Sequence, residues 1–524
     1  MGRKIIQIVF LAALLAVTGI AGSMPAFSAE LQSAVFTIPY GSPALWNRFL
    51  DEQGIIPMPD FTRAVILPHH LITAPELTKF YRGIADQFQP KIIILVGPNH
   101  YETGDSNIQT CNCAYETVKG RLEADSAITQ KAAANGVARF NNDAFKNEHS
   151  IYAHATFIKN FFPEAKIVPF ILKWKTPDAE IDALLDFINN LPDQKNILVI
   201  GSVDFSHYQQ SSVADFHDRS SFAAIANFDL QKIKTIEVDS PATLRLIAER
   251  ALTYRLNKVS LLNHTNSQKF FIKKLDETTS HLYISFSKGE SEKISQLSIH
   301  YFGDVVINPK TEPLITAADG LPSLAGKEER FFQGNDYNIL NSIGVPSDAL
   351  LKILKNYGFN RIGNPAHPFN GTAAPGFPCE TIKADSLKVA LCKYTDDGDS
   401  IRLQKTLQIV TYAKQTHNHV FLEIQWAGNA VTTPAAPAVP SARQRELARK
   451  FIDNGADLII GHSPTPINPV ETYKNKRIFY SLGKLIPVPK NTDAIGLSVG
   501  VIATPENLTI YTLPFPASAE NLYK

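Results

Sequence analysis

The stretch NILVIGSVDFSHY, residues 196–208, decides the fold. Its first half is strand-length and rich in Ile, Leu and Val, as a strand buried on both faces of a sheet is. Its second half is a polar turn carrying Asp204 and His207. Two earlier stretches have the same form: AVIL (64–67) runs into Pro68-His69-His70, and KIIILV (91–96) runs into Gly97-Pro98-Asn99-His100. Helical patterns fall between them, at Ala74 to Phe88, at Ser150 to Phe162 after Asn147-Glu148-His149, and at Ala179 to Asn190. Strands alternating with helices predict an α/β domain with a mostly parallel sheet covered by helices. A single helix separates the first two histidine-bearing strands, which predicts them as neighbours. Ligands of open α/β sheets bind beyond the carboxyl ends of the strands. Three strands therefore deliver imidazoles, with Asp204, to one edge, which is the layout of a metal or acid–base site.

At 524 residues the chain is too long for one core, and two domains are expected. A hydrophobic share of 44% with 19% charged residues is that of an ordinary globular protein, and a net charge of +1 gives no electrostatic footprint for nucleic acid. Arg3 and Lys4 precede an apolar run from Ile5 to about Ile20, followed by small residues to Ala29. This reads as a signal peptide over 1–29, cleaved between Ser23 and Ala29. An uncleaved anchor is the alternative, but the apolar core is short for a full span. No cysteine follows it to carry a lipid. The expectation is an exported bacterial protein, periplasmic or secreted, with no stable membrane span after cleavage.

The first domain is placed at 31–288, a polar linker at 289–297 (GESEKISQL), and a second domain at 298–516. The second domain opens on SIHYFGDVVIN and continues with strand VFLEIQW, a Pro/Ala-rich surface loop, a helix from Arg443 to Asn454, and strands ADLIIG and RIFYSLG. Of the four cysteines, Cys379 and Cys392 suit a disulfide in an oxidising compartment. Cys111 and Cys113 are too close for a relaxed mutual bridge if their segment is extended, and two cysteines alone do not make a structural zinc site.

The series PHH, GPNHY, NEHSIY and SVDFSHY, in this order and spacing, resembles the Memo family, which is related in fold to the LigB-type class III extradiol dioxygenases. Those enzymes hold non-haem iron through two histidines and a carboxylate. The resemblance covers Ala64 to about Lys288, with LLNHTNS and HLYISFS as closing strands. It implies that His69 and His100 ligate iron or copper, and the candidates for a third ligand are Glu148, His149, Asp204 and His207. Glu148 is taken as that ligand, with His149, Asp204 and His207 as catalytic or hydrogen-bonding groups. The structural alternative is that Glu148, Asp204 and His207 cap helices and satisfy backbone groups at the sheet edge. Three departures stand out. His70 and Leu71 replace an alanine and a glycine, Tyr101 replaces a second histidine, and no counterpart of the family's metal-binding Cys-Gly-Arg segment occurs between Asp239 and Leu262.

FGDVVI around Asp304, GNDYN around Asn335, EIQWAGN, NGADLIIGHSPTPINPVE and IFYSLGK resemble the CapA family of capsule (poly-γ-glutamate) synthesis, over about Ser298 to Pro516. That implies an α/β sandwich of metallophosphatase type, in which Asp, Asn and His at strand ends hold two metals against a phosphoryl group. Here the pattern is eroded: the family's histidine turns read Asn335-Asp336-Tyr337, Gln425-Trp426-Ala427 and Gly461-His462-Ser463, and Lys484 stands where an asparagine is usual. Asp304, Asn335 and His462 survive, too few for a two-metal site, so no cofactor is assigned to this domain. Lys484 is a candidate to replace a lost metal charge. Two functions follow. One is a metal-dependent oxidoreductase (Fe or Cu) acting on a small molecule, with a degenerate accessory domain. The other is a non-catalytic periplasmic protein that binds an envelope polymer or a metal ion.

Overall fold

A computed structural model describes residues 34–275, 277–316, 332–363, 379–426, 439–462, 467–485 and 496–515. The expected signal peptide and most of the Pro/Ala-rich loop lie outside these residues. Among the described residues no helix is long and apolar enough to cross a membrane.

The first domain is built on a nine-stranded sheet. Its centre is four parallel strands in the order Ala64–Leu67, Ile197–Ser202, Ile92–Pro98 and Lys166–Leu172. Antiparallel strands flank them, Ser280–Ser287 beside Ala64–Leu67 and Ile108–Thr110 beside Lys166–Leu172. The His69 and His100 strands are therefore not neighbours, as the single intervening helix suggested. The strand leading to Asp204 lies between them and pairs with both, so Ser202 and Asp204 emerge at the middle of the edge.

The apolar runs are explained by burial on both faces. Ile94, Val96 and Val199 face one core with helices Asp178–Asn189 and Pro241–Thr253. Ile93, Leu95 and Ile200 face the other, with helices Ala74–Gln87 and His149–Phe161. Successive side chains of a strand point to opposite faces, so a two-sided core demands apolar residues at consecutive positions.

Of the junction expected at 289–297, Gly289–Glu290 pairs with Leu256–Asn257 and extends the first sheet, while Leu297 opens the next strand. Residues 291–296 remain between the sheets, tied down where Asn227 bonds the backbone N–H and carbonyl of Ile294, 2.8 Å each.

The second domain stacks two sheets. One orders Val305–Val306, Tyr337–Ile343, Leu297–Tyr301, Gly496–Ala503 and Leu508–Phe515, and the other runs from Cys379–Ala384 through Leu387–Thr395, His419–Gln425 and Leu458–His462 to the Val470–Phe479 hairpin. Their facing sides share a core of Ile299, Tyr301, Ile339, Leu391, Phe421 and Ile460. Helix Asp348–Asn356 contributes Leu350 and Leu354 to the core on the outer side of the first sheet, and helices Ser400–Thr416 and Ala442–Asp453 cover the second. The result is an α/β sandwich.

Helix Ser211–Ala226 joins the domains: Phe216 packs on Tyr511 with ring centroids 5.6 Å apart, and Ser220 Oγ donates to Gly334 O at 2.5 Å. Both cysteine pairs are disulfides. Cys379 and Cys392 are direct cross-strand partners. The Cys111–Cys113 bridge corrects the expectation of an extended segment, because the chain leaves its strand at Thr110, and residues 111–112 connect two different sheets.

Candidate metal centre

His69 is buried at the edge, 2% exposed. Its Nδ1 lies 3.0 Å from Ser202 Oγ, which lies 3.1 Å from His154 Nε2, and His154 Nδ1 lies 2.8 Å from the Tyr81 hydroxyl. This buried chain fixes the ring and turns Nε2 toward the edge, as outer hydrogen bonds do for metal-binding histidines. Nε2 makes no acceptable hydrogen bond, although Asp239 Oδ2 is 3.2 Å away and Asp204 Oδ2 3.5 Å. Burial, with the nearby His100 and His149 imidazoles, holds the His69 pKa well below the usual value. A neutral imidazole with a buried, unmatched nitrogen beside two carboxylates fits a divalent cation.

His100 is oriented by Glu148. Its Nδ1 donates to Glu148 Oε1 at 2.7 Å and its backbone N–H to Oε2 at 2.9 Å. Burial alone would lower the His100 pKa, but the bond and charge of Glu148, with Asp239, outweigh it and the shift is upward. Nε2 then faces Asp239 Oδ2 at 3.9 Å. Glu148 also caps helix His149–Phe161 by accepting from Ser150 N at 3.0 Å. The carboxylate expected as third ligand is therefore spent on holding His100 and a helix end. The donor atoms of His69, His100 and His149 lie within 4.8 Å of one another, and the His149 ring stacks on His100 with centroids 3.9 Å apart. Burial and the neighbouring His100 push the His149 pKa down to about 4.

Asp239 is the residue that sequence reasoning missed. It opens the segment in which the Cys-Gly-Arg counterpart is missing, just before Ser240, which caps helix Pro241–Thr253. A carboxylate beside such a cap reads as a helix-start signal, and no local pattern marked it as facing the histidines. Asp204 is anchored at the same edge, accepting His69 N at 3.2 Å through Oδ1. Burial and the charge of Asp239 raise its pKa well above the carboxylate range. Glu237, also unforeseen, is buried under the Ser206–His207 turn, where it accepts from Ser206 Oγ, His207 N and His217 Nδ1 at 2.5, 3.1 and 2.7 Å.

A cleft of about 490 Å³ opens onto this edge, lined by His100, His149, Asp204, His207, Asp239 and the rim residues Trp174 and Tyr208. The two rim aromatics are 47% and 65% exposed. Tyr208 and Glu102, both lining the cleft, have positive φ (58° and 50°), a backbone cost that concentrates at functional loops.

In the second domain, Asp304 Oδ1 lies 2.8 Å from His462 Nδ1 and accepts from Asn341 Nδ2 at 2.9 Å. His462 Nε2 lies 3.6 Å from Glu423 Oε2, which pairs with Lys393 Nζ at 3.4 Å. Burial opposes the charged imidazole, but Asp304 and Glu423 prevail and raise its pKa to about 9. Asn335 is not part of this group. It precedes strand Tyr337–Ile343, while Asn341 lies near the other end, and the four strand steps from Tyr337 to Asn341 alone span roughly 13 Å. The turn containing Asn335 belongs to the domain interface, where Asp336 pairs with Lys232 at 2.6 Å. Lys484 meets Asp304 through a backbone bridge, and the cations beside the carboxylates are His462 and Lys393.

Residues 47–274 match the family model "Memo-like protein" and residues 369–487 match "Bacterial capsule synthesis protein PGA_cap". A MEMO1 family protein of Caldivirga maquilingensis is 29% identical over 182 residues, covering 34% of this chain and 64% of the relative. One of Nitrosopumilus maritimus is 25% identical over 204 residues, covering 38% and 70%. Among solved structures, a hypothetical protein from Thermus thermophilus aligns with TM-score 0.26 and 12% identity over 42% of this chain and all of that one. The uncharacterized protein JW3007 from Escherichia coli K12 aligns with TM-score 0.31 and 10% identity over 43% of this chain and all of that one.

Proposed function

Since the chain joins a Memo-like domain to a PGA_cap domain, we propose that it is an exported metal-dependent oxidoreductase whose ion is held by His69, His100 and Asp239. The observation that carries this reading is Asp239, whose carboxylate completes two histidines into the two-His, one-carboxylate set that suits non-haem iron with open positions. When bound, an iron or copper ion supplies Lewis acidity and one-electron redox chemistry toward a ligand in the cleft. His149, its imidazole kept neutral, offers that ligand a hydrogen-bond partner at the cleft. His207 faces the same cleft and serves as a proton carrier or hydrogen-bond donor. Glu148 positions His100, and Asp204 ties the His69 turn to the centre of the edge.

The exposed Trp174 and Tyr208 offer stacking surfaces at the rim, and the cleft volume suits a small molecule with a flat apolar face and an acidic hydroxyl. Export is supported by the two disulfides, which persist in oxidising compartments. We read the second domain as an accessory: Asp304 is engaged by His462 and Asn341, and Lys393 and charged His462 supply positive charge beside its carboxylates.

Oxygen uptake by the iron-loaded full chain with a panel of small diphenols tests the oxidoreductase reading. Uptake that is lost in Asp239→Ala supports it. Stoichiometric iron with no uptake across the panel would leave a binding protein and sink the catalytic half.

A further inference from the structure

His70 and His281 meet beside the candidate centre with no role in it. His70 stands where the Memo-type turn has an alanine, so its imidazole is an addition of this chain. His281 is on strand Ser280–Ser287, beside the His69 strand, and is fully buried. His70 Nδ1 and His281 Nε2 face each other at 3.1 Å. Two nitrogens each about 2.1 Å from one ion and subtending 90–110° lie roughly 3.0–3.4 Å apart, so this is the spacing of adjacent ligands. Asp204 completes the group, its donor atom lying within 4.8 Å of both imidazoles. Asp204 also belongs to the cluster with His69 and Asp239, so it sits between the two sets.

We propose that His70, His281 and Asp204 form a second divalent metal site, beside the ion assigned to His69, His100 and Asp239. The ligand class is a borderline transition metal such as Zn(II) or Co(II), which two imidazoles and a carboxylate suit. Ligation needs only a choice of tautomer. With the His281 proton on Nδ1 and donated to Thr265 Oγ1, 3.1 Å away, and the His70 proton on Nε2, both facing nitrogens offer lone pairs. Thr265 then plays the outer role that fixes a ligating histidine. His70 also lines the cleft, so an ion has a path from solvent.

The proposal does not depend on the first site, and the test separates the two. Co(II) is titrated into the metal-free full chain, with bound equivalents measured by dialysis and d–d absorption. Wild type binds two equivalents, His70→Ala binds one, and His100→Ala binds one at the other position. A wild type that binds no equivalent, or a His70→Ala variant that binds as many equivalents as wild type, overturns the second site. A His100→Ala variant that matches wild type instead overturns the first. Because His281 is buried, His281→Gln is the supporting variant, used where its melting temperature stays at the wild-type value. Loss of one equivalent there agrees with the proposal, and retention of both overturns it.

Discussion

Asp239 Oδ2 lies 3.2 Å from His69 Nε2, the one nitrogen of that buried ring without an acceptable hydrogen bond. The contact joins a residue at the start of a helix to one at the end of a strand 170 positions earlier in the chain. It places a carboxylate beside the buried imidazole, where the proposed metal set needs one.

Glu148 holds His100 with both carboxylate oxygens and caps the helix carrying His149. Glu148→Gln keeps the shape but removes the charge, so iron affinity is expected to fall about 10–100-fold. Glu148→Ala also removes the cap and lowers stability by a further ~1 kcal/mol. Calorimetric titration and urea unfolding measure the two effects, and an unchanged affinity in Glu148→Gln would refute the positioning role.

Gly97 is required by a close approach. A Cβ at this position would lie 2.7 Å from both Cβ and Oγ of Ser150, at the start of the same helix. Gly97→Ala should cost about 1–3 kcal/mol by overpacking and weaken metal binding by displacing Glu148 and His149. Gly136 has open space around its Cβ position, with φ of +72°, and serves as a control whose substitution affects stability without touching the metal.

His462 gives the second domain a dependence on pH. Its folded pKa, about 9, lies above the unfolded value near 6.5. The stabilisation is fully present below about pH 6.5 and is lost as pH rises through about 9. The loss is of order 1–3 kcal/mol. Native-state hydrogen exchange over Leu458–His462, corrected for intrinsic rates, should show protection falling between pH 7 and 10. In His462→Gln that fall should vanish.

The Cys379–Cys392 bridge closes a loop with a sequence separation of 13, which corresponds to about 3 kcal/mol of unfolded-state entropy. The Cys111–Cys113 loop is far shorter and should contribute roughly half as much. Urea midpoints of the two double Cys→Ser variants should rank in that order, and equal midpoints would contradict it.

The parallel strands and their histidine turns were legible because burial on both faces leaves unbroken apolar runs. The turns then follow at the carboxyl ends. Strand order was not legible, since a helical crossover can skip a position, and the Ile197–Ser202 strand occupies the gap between the other two. Glu148 was visible as a carboxylate near the site, but whether it ligates or orients depends on distances that sequence does not carry. Asp239 and Asn341 were missed for a similar reason: one follows an ordinary helix-start pattern, and the other sits inside an apolar strand. Both acquire a role only from long-range pairing.

Anaerobic Fe(II) titration of the metal-free full chain tests the central claim most directly, with wild type, His69→Ala and Asp239→Ala compared by calorimetry. The prediction is a tight equivalent in wild type that both variants lose while their melting temperatures confirm folding. Equal stoichiometry and affinity in all three proteins would contradict it.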